Sequence, residues 1–341
     1  MKRLKFTACI SLMLFAALVS LSPNSQAQIV LDFTGDTFFA NNPVARAALE
    51  AAAMDINDAV HFDCLGAVTD DVIIGSDGGL NVDFDFQTTY FNPADGMATT
   101  ISNTEIPAGQ INIFAGARTL GGNTLGEGGP GISAPVSAVV NGSGGSIPLA
   151  VANAVANEQH SRGSGPVIFT ANVGDGFSFE SGVHTGSVAF DDDAAWHFDH
   201  TTAVTPGTSD FYTVALHELL HTLGVGTSET WNSLISGNNY LGAEGIAANG
   251  GTGINLLAND GEHLAPNILS STITDGQSQI AVLDPALQLG TRRDLTELDL
   301  AVLRDLGFKT IDASAIPEPA SLALIGLVGM TLSCRRRKLA L

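Results

Sequence analysis

His217 and His221 stand four residues apart with Glu218 between them, inside the apolar run Val214-Ala-Leu-His217-Glu218-Leu-Leu-His221-Thr-Leu-Gly224. On a helix, residues four apart share a face, so the two imidazoles point the same way. Two imidazoles so placed can share one zinc ion, and Glu218 sits one step round, beside the remaining coordination position. A catalytic zinc takes three protein ligands and a water, and a neighbouring carboxylate accepts a proton from that water. The plainer alternative is a helix whose two histidines merely fill a core. The boundaries of the run speak against it: Thr208, Ser209 and Asp210 offer caps at the start, and Gly224 suits a left-handed helix end.

The elements that must hold this helix lie on both sides of it. Residues 29–33 alternate like a strand, and Asn42-Pro43 opens an Ala-rich helix over residues 44–59 with Leu49, Ala52, Ala53 and Ile56 on one side. Residues 72–74, 80–86, 111–114 and 167–169 read as strands between Gly, Asp and Asn turns, and residues 147–157 as a short helix. Residues 121–145 are rich in glycine without a lysine to complete a phosphate cradle, which predicts an extended surface loop. Strand residues 186–190 lead into Asp191, Asp192 and Asp193, and then Trp196. Such carboxylates can hold a hard cation, or can simply be a polar turn. After Gly224 the periodicity fades over residues 226–259, followed by Asn259-Asp260-Gly-Glu262-His263. A last helix over residues 296–306 opens on Thr296 with Asp299 three residues on and closes on Gly307, with Leu298, Val302 and Leu306 facing inward.

The two ends carry addresses rather than fold. Residues 1–27 read as a signal peptide: Lys2, Arg3 and Lys5, an apolar run, then Ser25-Gln-Ala27 as a small-residue cleavage site. Residues 317–341 start with Pro317-Glu318-Pro319, continue with an apolar segment over 320–333, and finish on a basic end at 335–338. The apolar segment is short for a permanent span, and its basic end would stay cytoplasmic. A plain tail anchor is the alternative.

Composition narrows the class. Of 14 Lys and Arg, three lie in the leader and four in the tail, against one of 35 acidic residues, so the body carries a formal charge near −27. That excludes nucleic acid and anionic membrane as partners of the body, since both need a basic face. It fits an exported protein, with calcium a further possibility that charge alone does not establish. Cys9 and Cys334 lie in the two ends, so Cys64 stands alone in the body, where it is expected to be a small buried residue.

His217, Glu218, His221 and Gly224 match the first elements of the metzincin zinc-protease signature HExxHxxGxxH. Residues 187–196 resemble the matrixin stretch that binds calcium before that helix, and residues 110–114 resemble the strand bordering the substrate cleft. The C-terminal segment resembles the PEP-CTERM sorting signal of Gram-negative bacteria. That resemblance implies removal by an exosortase-type membrane enzyme, a transient inner-membrane contact, and a body released to the cell surface or extracellular matrix. Two departures matter. Thr227 stands where the signature has its third histidine, and a hydroxyl is a poor zinc ligand beside imidazoles. A third ligand must then come from elsewhere, and ligand count selects His263, 42 residues beyond His221, as in the leishmanolysin type with its insertion. His197 and His200 are weaker candidates, and His61, His160 and His184 read as loop or surface residues. No methionine occurs between Met97 and Met330, so Leu283 in Val-Leu283-Asp-Pro occupies the place of the methionine turn. Ala194 stands where matrixins have glutamate, which leaves Asp191 and Asp193 as candidate calcium ligands.

The expectation is an α+β, zincin-like catalytic domain over residues 28–316, with a mixed twisted sheet, an active-site helix and an irregular C-terminal subdomain. It would be a secreted zinc metalloendopeptidase acting on protein or peptide, with His217, His221 and His263 on zinc and Glu218 as general base. A non-catalytic surface or matrix protein retaining the fold is the alternative, and a zinc hydrolase acting on another bond is a second.

Overall fold

A computed structural model describes residues 28–68, 74–75, 80–102, 105–142, 165–174 and 177–311. The expected leader, the helix over 147–157, His160 and the sorting tail lie outside the described residues.

The chain opens with β1 (Gln28–Asp32), α1 (Phe38–Asn41) and α2 (Pro43–Ala59). Pro43 occupies the first turn of α2, where a missing N–H costs nothing. Leu49, Ala52, Ala53 and Ile56 form its buried stripe, as the sequence predicts. There follow β2 (Val60–His61), β3 (Ile74–Gly75), β4 (Leu80–Phe91), β5 (Ala98–Ser102), β6 (Gln110–Arg118), β7 (Gly126–Pro130), β8 (Ile132–Gly142), β9 (Val167–Gly174), β10 (Phe177–Gly182) and β11 (Thr185–Asp191). The helix carrying His217 is α3 (Phe211–Thr222); after it come α4 (Glu229–Ser233), α5 (Ala243–Ala248) and α6 (Glu297–Asp305).

The main sheet is mixed, in the order β1-β6-β11-β7. β6 runs parallel to both β1 and β11, and β7 is antiparallel to β11. Ile111, Ile113 and Ala115 alternate inward along β6, whereas every residue of β11 is buried. α2 and α3 pack against each other; α2 also meets β1, and α3 meets β11 and β7. Phe39, Phe190 and Phe211 join helices and sheet in one aromatic cluster, with the Phe190 and Phe211 rings 4.6 Å apart.

Two expectations are corrected here. The Gly-rich stretch is not a surface loop: it supplies β7, paired with β11, and β8, paired with β4. Its glycines serve close approach. A Cβ on Gly126 would lie 2.6 Å from Glu218 Cγ, and one on Gly128 only 2.3 Å from the Glu218 carbonyl oxygen. Nor does β6 border a cleft, since it is flanked on both sides by β1 and β11; β7 is the edge strand next to α3.

Beyond α3 the chain is made of short pieces: α4, a three-stranded patch between residues 235 and 255, α5, and a hairpin of Leu269–Ser271 with Ser278–Ile280. α6 packs on α5. It starts with a full capping box, Thr296 and Asp299 each bonding the other's backbone N–H, and buries Leu298 and Val302; Leu306, its C-cap, is buried too.

Candidate metal centre

Asp210 caps α3, its carboxylate accepting from the Thr213 N–H at 3.1 Å and the Thr213 hydroxyl at 2.8 Å. That carboxylate is fully buried and is neutralised by Arg292, whose Nη2 donates at 2.7 Å. At the other end, the Gly224 N–H bonds the His221 carbonyl and the Val225 N–H bonds the Leu220 carbonyl, with Gly224 at φ 100°. This is a Schellman ending, and it needs glycine at that φ. The same turn returns the Val225 carbonyl over the helix, where it meets His221 Nδ1 at 2.8 Å.

The other two imidazoles are held in the same manner. His217 Nδ1 lies 2.7 Å from the Val282 carbonyl oxygen, and His263 Nδ1 lies 3.0 Å from both oxygens of Asp260. Carbonyls and carboxylates only accept, so each Nδ1 carries the hydrogen, and in the neutral ring each Nε2 then presents a lone pair. His221 Nε2 is 3.1 Å from His217 Nε2 and 3.2 Å from His263 Nε2. Three converging lone pairs repel unless a cation lies among them. Tetrahedral nitrogens about 2.1 Å from a zinc stand about 3.4 Å apart, close to these spacings, so the donor set fits such an ion. Burial lowers His217 to about 4 and His221 to about 3, which keeps both rings neutral and able to donate lone pairs at pH 7.

Thr227 does not join this cluster. Its hydroxyl donates to the His221 carbonyl at 3.0 Å, satisfying a helix end. His263 arrives instead on a turn whose backbone nearly touches the chain after α3: a Cβ on Gly226 would lie 2.5 Å from the Glu262 carbonyl oxygen. Trp231 Nε1 donates to the Gly261 carbonyl at 2.9 Å, and the Leu257 N–H to that of His263 at 2.9 Å, which fixes the turn from behind.

Leu283 follows the Val282 carbonyl that meets His217; it is buried, and Asp299 holds its turn. Asp299 accepts from the N–H of Val282 at 3.2 Å and of Leu283 at 3.1 Å, besides capping α6 through Thr296. One buried carboxylate therefore ties the start of α6 to the turn whose carbonyl orients His217. Burial pushes its pKa up, against the hydrogen bonds that favour its charge. Nothing in the capping signature announces this second task.

Glu218 is buried beside the cluster, and burial, followed by the charge of Glu127 on β7, raises its carboxyl to about 8. It lines a cavity of about 590 Å³ together with His217, His263, Leu125, Val214 and Arg293. A second cavity of about 540 Å³ follows β7 past Gly128 and Gly129 to Phe91, Ile132 and Glu262.

The carboxylates of Asp191, Asp192 and Asp193 lie within 4.8 Å of one another. The neighbouring charge of Asp191 raises Asp193. Asp191 also accepts the Leu120 N–H at 2.9 Å and Asp192 the Thr119 hydroxyl at 2.9 Å, so part of the cluster closes a turn. His197 bonds Thr205 and Asp199, and His200 lies against Tyr212, both away from the imidazole cluster. His61 is exposed on β2; His184, expected in a loop or at the surface, lies in the short connection between β10 and β11 but is buried, with Nδ1 2.8 Å from the Gly182 carbonyl oxygen. Cys64 is half-buried, and burial raises its thiol.

Two family models match the chain: Matrixin over residues 170–244 and the PEP-CTERM protein-sorting motif over residues 315–338. No curated protein and no solved structure matches the chain. The chain thus resembles a matrixin-type metalloprotease with a PEP-CTERM tail, a tail that marks export and C-terminal sorting. The matrixin match includes His217, Glu218 and His221 and ends before His263. Among the described residues no helix is long and apolar enough to cross a membrane.

Proposed function

We propose that this chain is a secreted, zincin-like zinc endopeptidase in which His217, His221 and His263 hold the metal and Glu218 is the general base. The observation that carries the reading is the convergence of three Nε2 lone pairs, each with its Nδ1 hydrogen committed to an oxygen. A zinc ion held there would supply a Lewis acid able to polarise a peptide carbonyl and acidify a water. Glu218 faces the same cavity as His217 and His263; it takes the proton of the attacking water and returns it to the departing amine. An extended substrate would add its backbone to the edge of β7, which among the described residues pairs only with β11. Outside the catalytic body, an exosortase-type enzyme would act on the tail, and the body would reach the cell surface or matrix.

Glu218→Ala is expected to keep one zinc per chain and to lose casein cleavage by at least ~10²-fold. A variant that cleaves at the wild-type rate would refute the role of Glu218. A wild-type protein without zinc or peptidase activity would favour a surface protein that retains only the fold.

A further inference from the structure

The three histidines are held by different partners. His217 and His221 each donate to a backbone carbonyl, from Val282 and Val225, whereas His263 donates to a carboxylate. That carboxylate, Asp260, lies three residues before His263 in a turn that needs positive φ at Asn259 (63°) and Gly261 (81°). Besides meeting Nδ1 with both oxygens at 3.0 Å, Asp260 accepts the N–H of Glu262 at 2.7 Å and of His263 at 3.0 Å. The imidazole and its own backbone are thus clamped by one side chain. The need for a clamp follows from the chain's path. His217 and His221 are fixed by a helix capped at both ends, but His263 reaches the cluster on a turn without regular structure.

On the reading of this site as a three-histidine zinc centre, we infer that Asp260 is the positioning residue of the third ligand. It fixes the tautomer of His263, aims Nε2 at the metal, and by its negative charge makes that ring the stronger donor. Its place in the loop is therefore as much part of the centre as the histidine it orients. The clamp substitutes for the rigidity that a third histidine three residues after Gly224 would take from the helix end.

The test is a mutant cycle on the full chain, with zinc alone as the probe. Zinc dissociation constants are measured by competition with a chromophoric chelator for wild type, Asp260→Asn, His263→Ala and the double variant. Asparagine keeps an oxygen for the two N–H groups of the turn while removing the charge. Asp260→Asn is expected to weaken zinc binding ten- to a hundredfold and to leave the melting temperature of the metal-free protein unchanged. In the His263→Ala background the same substitution is expected to have no effect, because Asp260 acts through that ring. Wild-type affinity in Asp260→Asn, or an equal loss with and without His263, would overturn the inference. A wild type that binds no zinc would instead overturn the three-histidine reading, and the inference with it.

Discussion

At the scale of single residues, the site depends on which atoms are already committed. Each imidazole gives its Nδ1 hydrogen to oxygen, so the histidine types and their spacing become a chemistry only through Val225, Val282 and Asp260. His217, Glu218 and His221 were legible because a helix imposes a fixed geometry on residues four apart. His263 followed from counting ligands, since no periodic element carries it. The partners behind the rings could not be read, because two are backbone carbonyls and the third belongs to an irregular turn. Asp299 is the same kind of residue, legible as the cap of α6 but not as the anchor of residues 282 and 283. Asp299→Ala strands several buried N–H groups, so it should cost about 3 kcal/mol in urea unfolding, while Thr296→Ala, which loses only a cap, should cost about 1 kcal/mol. Equal costs would mean that the turn beneath His217 does not lean on Asp299.

At the scale of elements, helices were the legible part and the glycine strand was not. α2 announces itself by Pro43 and an apolar stripe, α3 by Asp210 and Gly224, and α6 by a capping box and an apolar stripe, and these survive in the fold, although Asn42 makes no side-chain cap on α2. β7 reads Gly-Glu-Gly-Gly-Pro, which offers no alternation of side chains for strand recognition. Its role follows from what is missing: only a bare backbone can lie this close to the Glu218 backbone. Gly128→Ala would place a methyl 2.3 Å from the Glu218 carbonyl oxygen, whereas Gly129→Ala meets nothing within 4 Å. Gly128→Ala is expected to cost about 3 kcal/mol and to impair activity, and Gly129→Ala to stay within about 0.5 kcal/mol, by urea unfolding. Similar behaviour of the two variants would contradict the packing of β7 on α3.

At the scale of the whole molecule, the site joins distant parts of the chain. α3 supplies two rings, residues after the 42-residue separation supply the third, and the turn before α6 orients the first. A metal bound by all three would close that loop and stabilise the assembly in proportion to its affinity. The measurement that bears most directly on this is the zinc content of the dialysed full chain, wild type against His263→Ala. One zinc per wild-type chain, falling to under about a tenth in the variant, is the predicted result. A wild type without zinc, or a His263→Ala protein that keeps its full complement, would contradict it.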